Sequence, residues 1–129
     1  MPVADGSFNF VPCQDAIEHV ENPWDLCRKI HLSLKPGGAL VLTTPNVQSR
    51  FSKKIFVNTG HVHWFTPDRF SYHINPLPLW EVELISERTG FDLVRMLGNG
   101  DYYLGANATP TRESILSMNE ALVFAFEAR

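Results

Sequence analysis

The chain has 129 residues, 44% of them hydrophobic and 19% charged, the size and composition of one globular domain with a single core. Its formal net charge of -3 is spread without a basic run, which gives no electrostatic reason to expect nucleic acid or anionic lipid as partner. No apolar stretch approaches the roughly 20 residues of a membrane span, and the opening MPVADGSF is not a signal peptide. A cytoplasmic protein without membrane association is therefore expected. Cys13 and Cys27 both fall within expected regular elements and read as reduced, buried thiols.

A turn at Asp5-Gly6-Ser7 leads into a short apolar strand, Phe8 to Cys13. Pro12 sits awkwardly there, because proline removes a ladder donor from a central strand. DAIEHV reads as a brief helical turn. The clearest helix follows: Asn22 is its cap candidate, Pro23 suits the first helical position, and Asp25 lies in the first turn. Trp24, Cys27, Ile30, His31 and Leu34 recur at three- and four-residue spacing and form one stripe with a single polar member. Lys35-Pro36-Gly37-Gly38 stops the helix.

The run ALVLTT is continuous rather than alternating, the pattern of a strand covered on both faces. Strand, helix and strand with short connections imply a right-handed crossover and a parallel pair. Pro45 to Pro78 reads as a long irregular stretch, and such connections usually have a task or carry short elements of their own. PLWEVELISERTG predicts a second helix with Leu79, Val82 and Ile85 inward and Gly90 as its stop; FDLVRMLG predicts a third strand. The tail ALVFAFEAR fits a fourth strand or the end of a helix from Thr111, and the alternation of Leu122, Phe124 and Phe126 favours the strand. One domain results, in three parts: a strand-helix-strand core over 1–45, a loop or lid over 46–78, and a helix with closing strands over 79–129.

The block ADGSFNFVPCQDAIEHVENPWDLCRKIHLSLKPGGALVLTTPN resembles the second half of a class I S-adenosylmethionine-dependent methyltransferase. In order, it is similar to that family's acidic-Gly-Ser-Phe turn, fourth strand, EHV turn, fourth helix, LKPGG connection and fifth strand. FTPDRF, ISERTGFDLV and ALVFAFEAR resemble its later loop, fifth helix and closing strands, so the resemblance covers nearly the whole chain. Within that family it resembles methyltransferases of the ubiquinone-biosynthesis O-methyltransferase type. The implied fold class is α/β: the C-terminal half of a Rossmann-like sheet, with parallel strands, helices and a closing antiparallel strand.

In open α/β sheets ligands collect beyond the carboxyl ends of the strands, here Cys13 to His19 and Thr43 onward. The resemblance implies that Cys13 and Gln14 contact S-adenosylmethionine; a polar strand end facing water is the plain alternative for Gln14. Asp15, Glu18 and His19 form D-x-x-E-H, and some family members with E-x-x-E-H at this place hold a divalent cation. Magnesium is the ion such a set suggests, although Asp15 shortens the reach, and a solvated acidic turn with His19 lining the cleft is the alternative. His61 and His63 would point the same way in an extended segment, with His73 further on, but a zinc site there lacks a fourth ligand. Trp64, Phe65, Phe70 and Tyr72 suggest a lid or an apolar acceptor pocket, or simply cover for the core. A base is needed only where the acceptor must lose a proton, and His19, His61 and His63 are the candidates.

The family's glycine-rich loop and ribose-binding acid, which lie in its first half, have no counterpart in these 129 residues, and no G-x-G-x-x-G occurs. The chain alone is thus expected to bind the cofactor weakly or not at all. Its first strand, central in the complete fold, should present an open edge to a second copy or to a partner. Two functional readings follow: a methyltransferase represented by its C-terminal half, as a truncated gene product or split subunit, or a non-catalytic interaction module. An unrelated α/β protein fits the ordered motifs poorly. The acceptor is a small molecule that the sequence does not name.

Overall fold

The computed structural model describes residues 4–100 and 110–129. Four strands form one mixed sheet: β1 (Phe8–Gln14), β2 (Leu34–Pro45), β3 (Phe91–Asn99) and β4 (Ala121–Ala128), in the spatial order β1-β2-β4-β3. β1 and β2 run parallel, with Phe10 opposite Ala39 and Gln14 opposite Thr43, while β4 pairs antiparallel with both β2 and β3. The helix between the parallel strands, α1 (Pro23–Ser33), begins as its residues dictate. The Asn22 side chain accepts the Asp25 N–H at 3.0 Å and Pro23 occupies the first turn.

β1 is an edge strand. That position accommodates Pro12, whose missing N–H would cost a bond in a doubly paired strand. Phe8 and Phe10 remain 43% and 53% exposed along it, large apolar side chains that nothing in the described residues covers.

The helices cover only one face of the sheet. Leu40, Leu42, Leu122, Phe124, Phe126 and Phe91 are buried beneath Ile17, Cys27, Val82, Ile85 and Ile115. These come from the first turn, α1, α3 (Leu79–Arg88) and α4 (Arg112–Met118). On the opposite face Ala39, Val41, Thr43, Val123 and Ala125 are only half-buried. The expected two-sided cover for ALVLTT is therefore corrected. An uninterrupted apolar run reports what each residue prefers, and among the described residues no layer covers the second face.

One further expectation changes. The segment after Pro45 is not irregular throughout: it contains a ten-residue helix, α2 (Arg50–Thr59), and a single turn at Pro67–Arg69. The tail ALVFAFEAR forms the favoured strand, β4, and the helix capped by Thr111, α4, ends before it. The predicted stop at Gly90 holds for a steric reason. Its φ is +100°, and an added Cβ would lie 2.6 Å from Nε2 of His31, which contacts the Arg129 carbonyl at 3.2 Å. Among the described residues no helix is long and apolar enough to cross a membrane.

Candidate functional site

The carboxyl ends of β1 and β2 are laced together by one side chain. The Thr43 hydroxyl accepts the Asp15 N–H at 2.9 Å and donates to the Asp15 carboxylate at 2.8 Å. These bonds hold Asp15 at φ +44°, a left-handed conformation that aspartate tolerates better than most residues. The chain thereby turns sharply out of the sheet into the helical turn Ile17–His19, and Glu18 is carried inward. One residue beyond β2, Asn46 is buried; its amide donates at 2.8 Å to the carbonyls of Leu116 and Asn119. Asn46 thus fastens the end of β2 to the α4–β4 connection, which is why the apolar run closes on Thr-Thr-Pro-Asn.

Glu18 is fully buried. One carboxylate oxygen accepts from Thr44 Oγ1 at 3.4 Å, and the other, Oε1, has no hydrogen-bond partner. Burial pushes its carboxyl above the ordinary range, against a smaller opposing pull from its own backbone N–H and from His19 and His73. Nε2 of His19 lies 3.8 Å from the unpartnered oxygen. The other ring nitrogen of His19, Nδ1, is 2.6 Å from the Tyr72 carbonyl, and Nδ1 of His73 is 2.7 Å from the Trp64 carbonyl. A carbonyl only accepts, so both Nδ1 atoms carry hydrogen and both Nε2 atoms are left as bases or ligands. The two imidazoles stand 4.7 Å apart, and one ligand atom from each of Glu18, His19 and His73 falls within 4.8 Å of the others.

The loop that brings His73 here is tied down by backbone bonds. The N–H groups of Ile74 and Asn75 both donate to the Glu18 carbonyl, at 3.1 and 3.0 Å, and the Asn75 amide donates to Val20. A cavity of about 330 Å³ opens beside the cluster, with Asp15, Glu18, Trp64, Arg69, His73 and Glu120 among its walls. The Arg69 guanidinium stacks 4.8 Å above the Trp64 ring, which fixes a cation at its rim. A larger cavity of about 470 Å³ adjoins it through His73; its walls are apolar, including Phe56, Val62, Phe65, Phe70 and Ile74.

The sequence candidates are distributed as follows. Glu18 and His19 meet as expected, but the third member of their cluster is His73. Asp15 lies on the wall of the same cavity and spends its carboxylate on Thr43. His61 lines the apolar cavity edge-on to Phe70, and His63 packs against Phe51 and Trp64, so neither joins the cluster. The histidines 61, 63 and 73 therefore do not form one metal site. Cys13 is buried at the end of β1, and desolvation, reinforced by Glu18 and Asp15, pushes its thiol up to about 11. Gln14 is exposed at the same strand end. Sequence reasoning missed Asn46 and Arg69 altogether, and it grouped His73 with its neighbours in the chain rather than its neighbours in space.

Among solved structures, the chain is similar to S-adenosylmethionine-dependent methyltransferases from Mesorhizobium loti, Archaeoglobus fulgidus and Methanosarcina mazei. With the first it shares 16% identity at a TM-score of 0.60, covering 98% of this chain and 65% of that one. With the second it shares 16% at 0.64, covering 97% and 61%. With the third it shares 16% at 0.61, covering 99% and 62%. The likeness shows the class I methyltransferase fold, and the chain spans a little under two thirds of each of these proteins. No curated protein matches it. The model of a family described as a methyltransferase domain matches residues 2–96, well over half of the chain. The chain belongs to the methyltransferase-domain family.

Proposed function

We propose that this chain forms the acceptor-binding side of an S-adenosylmethionine-dependent methyltransferase. The observation that carries the reading is the parallel pair β1 and β2, whose carboxyl ends open onto a cavity lined by the buried Glu18 carboxylate and the His73 imidazole, with His19 in the same cluster. When bound, S-adenosylmethionine supplies an electrophilic methyl on its sulfonium. Transfer then depends chiefly on alignment with the acceptor atom. The family resemblance assigns cofactor contact to Gln14, exposed at the end of β1, and to its buried neighbour Cys13.

The nucleoside-binding side belongs to polypeptide that pairs with β1. An unpaired edge strand carrying exposed Phe8 and Phe10, beside a half-buried sheet face, supports this, as does the lack of any glycine-rich loop in the 129 residues. An acceptor seated in the apolar cavity meets the polar one at His73, which lines both. A hydroxyl acceptor gives its proton to Nε2 of His19 or His73, each held in the competent tautomer by a backbone carbonyl.

The same three groups fit a divalent cation: Glu18 offers an unpartnered buried oxygen and each imidazole a free nitrogen. Two nitrogens with one carboxylate suit manganese, cobalt or zinc better than magnesium, whose preference is for an all-oxygen shell. A bound ion would be held by Glu18, His19 and His73 and would supply Lewis acidity at the site, the imidazoles then serving as ligands rather than as bases.

Titration calorimetry with S-adenosylhomocysteine tests the reading, on this chain alone and on the chain joined to whatever its gene encodes upstream. Affinity only in the longer protein is the expected result. Tight binding to a single copy of this chain would remove the shared-site proposal, and no binding by either protein would remove the methyltransferase reading.

A further inference from the structure

The chain-wide charge of -3 conceals a local imbalance. From Leu26 to Pro67 there is no aspartate or glutamate, while six of the 11 lysines and arginines fall within that stretch. Three of them, Arg50, Lys53 and Lys54, lie on α2, which carries no acidic residue. Arg50 shares a surface hollow with Glu113 of α4; among the described residues Lys53 and Lys54 form no ion pair.

The same helix exposes apolar side chains. Val57 is 83% exposed and Phe56 54%, and Phe51 is also exposed. Only Ser52 is buried, so α2 turns its polar serine inward and its valine and phenylalanines outward. At helical spacing Lys53 and Lys54 lie four and three residues before Val57, which places both cations beside it. Exposed Phe70, Tyr72 and Ile74 continue the apolar surface on the following loop. Phe56, Phe70 and Ile74 are at once surface residues and walls of the 470 Å³ apolar cavity, so the patch surrounds that cavity's mouth. The helix is capped by Ser49, which accepts the Ser52 N–H at 3.1 Å, and ends at Gly60 with φ +75°.

We propose that α2 and the rim of the apolar cavity dock onto an anionic lipid surface. A bilayer interface supplies what this surface lacks: phosphate charge for the unpaired lysines and an apolar layer for Val57 and Phe56. An acceptor soluble in water would give no reason for a cavity mouth ringed by exposed phenylalanines; one partitioned into lipid would enter it directly. Lys53, Lys54 and Val57 lie on α2, apart from the strands and histidines that carry the methyltransferase reading, and a test on them needs no activity.

The experiment is cosedimentation of the 129-residue chain with phosphatidylcholine vesicles, with and without phosphatidylglycerol, at low and high salt. Binding is expected only to the anionic vesicles and should weaken with salt. Each lysine near such a surface contributes a factor of about five, so Lys53→Gln with Lys54→Gln should lower partition about 25-fold. Val57→Asp should lower it even at low salt, whereas the control pair Arg28→Gln with Lys35→Gln, exposed elsewhere, should leave it unchanged. The substituted side chains are exposed, so thermal melts should match the parent. Equal binding to neutral vesicles, equal loss in the control pair, or no vesicle binding would overturn the proposal. Capture of soluble polyglutamate through Lys53 and Lys54 without vesicle binding would also overturn it, in favour of an acidic protein partner.

Discussion

Thr43 and Asp15 close a two-bond ring across the ends of the parallel strands, the threonine hydroxyl accepting at 2.9 Å and donating at 2.8 Å. The ring fixes where the chain leaves the sheet and hence where Glu18 enters the core. Thr43→Val keeps the shape and removes both bonds, and should cost about 1 kcal/mol, because the ring is open to solvent. Urea unfolding measures it; a variant as stable as the parent would show that the turn holds itself.

His73 lies far from His19 in sequence yet completes its cluster. Manganese should bind the chain with a stoichiometry of one and release on His73→Ala or Glu18→Gln, followed by electron paramagnetic resonance of the free ion. His61→Ala should leave binding intact, since His61 faces the apolar cavity instead. Equal losses from His61→Ala and His73→Ala would disprove the assignment.

Both thiols should be inert in the folded chain. Burial raises Cys13 to about 11 and Cys27 to about 12, so each stays protonated and shielded near neutral pH. Reaction with a thiol reagent at pH 8 should appear only after denaturant is added. Fast labelling of either cysteine in the native protein would contradict its placement in the core.

His63 should make the fold acid-sensitive. Partial burial lowers its folded value below 6.5, with Arg69 pulling the same way and Glu120 opposing. The unfolded chain therefore takes up a proton first as pH falls, so stability present above about pH 6.5 declines from there to the folded value. His63→Gln should flatten that part of the stability profile. An unchanged slope would place the sensitivity in another group.

The exposed edge of β1 should drive association of the isolated chain. Light scattering of the isolated chain should show species larger than a monomer, and Phe10→Lys should shift them toward monomer by placing a charge on an exposed edge. A monodisperse monomer from the parent chain would show that the edge protects itself.

The local elements were written plainly in the residues. Asn22-Pro23 starts α1, Leu79, Val82 and Ile85 mark the inward face of α3, and Gly90 ends it, because caps, helical spacing and positive φ act within a few residues. The same holds for the parallel pairing of Phe10–Gln14 with Ala39–Thr43, implied by the short strand-helix-strand connections. Tertiary structure decided the rest. Which face of β2 is covered depends on layers contributed by distant helices, and no run of apolar letters specifies their number. His73 joins Glu18 and His19 because two backbone N–H groups of its loop bond the Glu18 carbonyl, a long-range closure that leaves no trace in residue spacing.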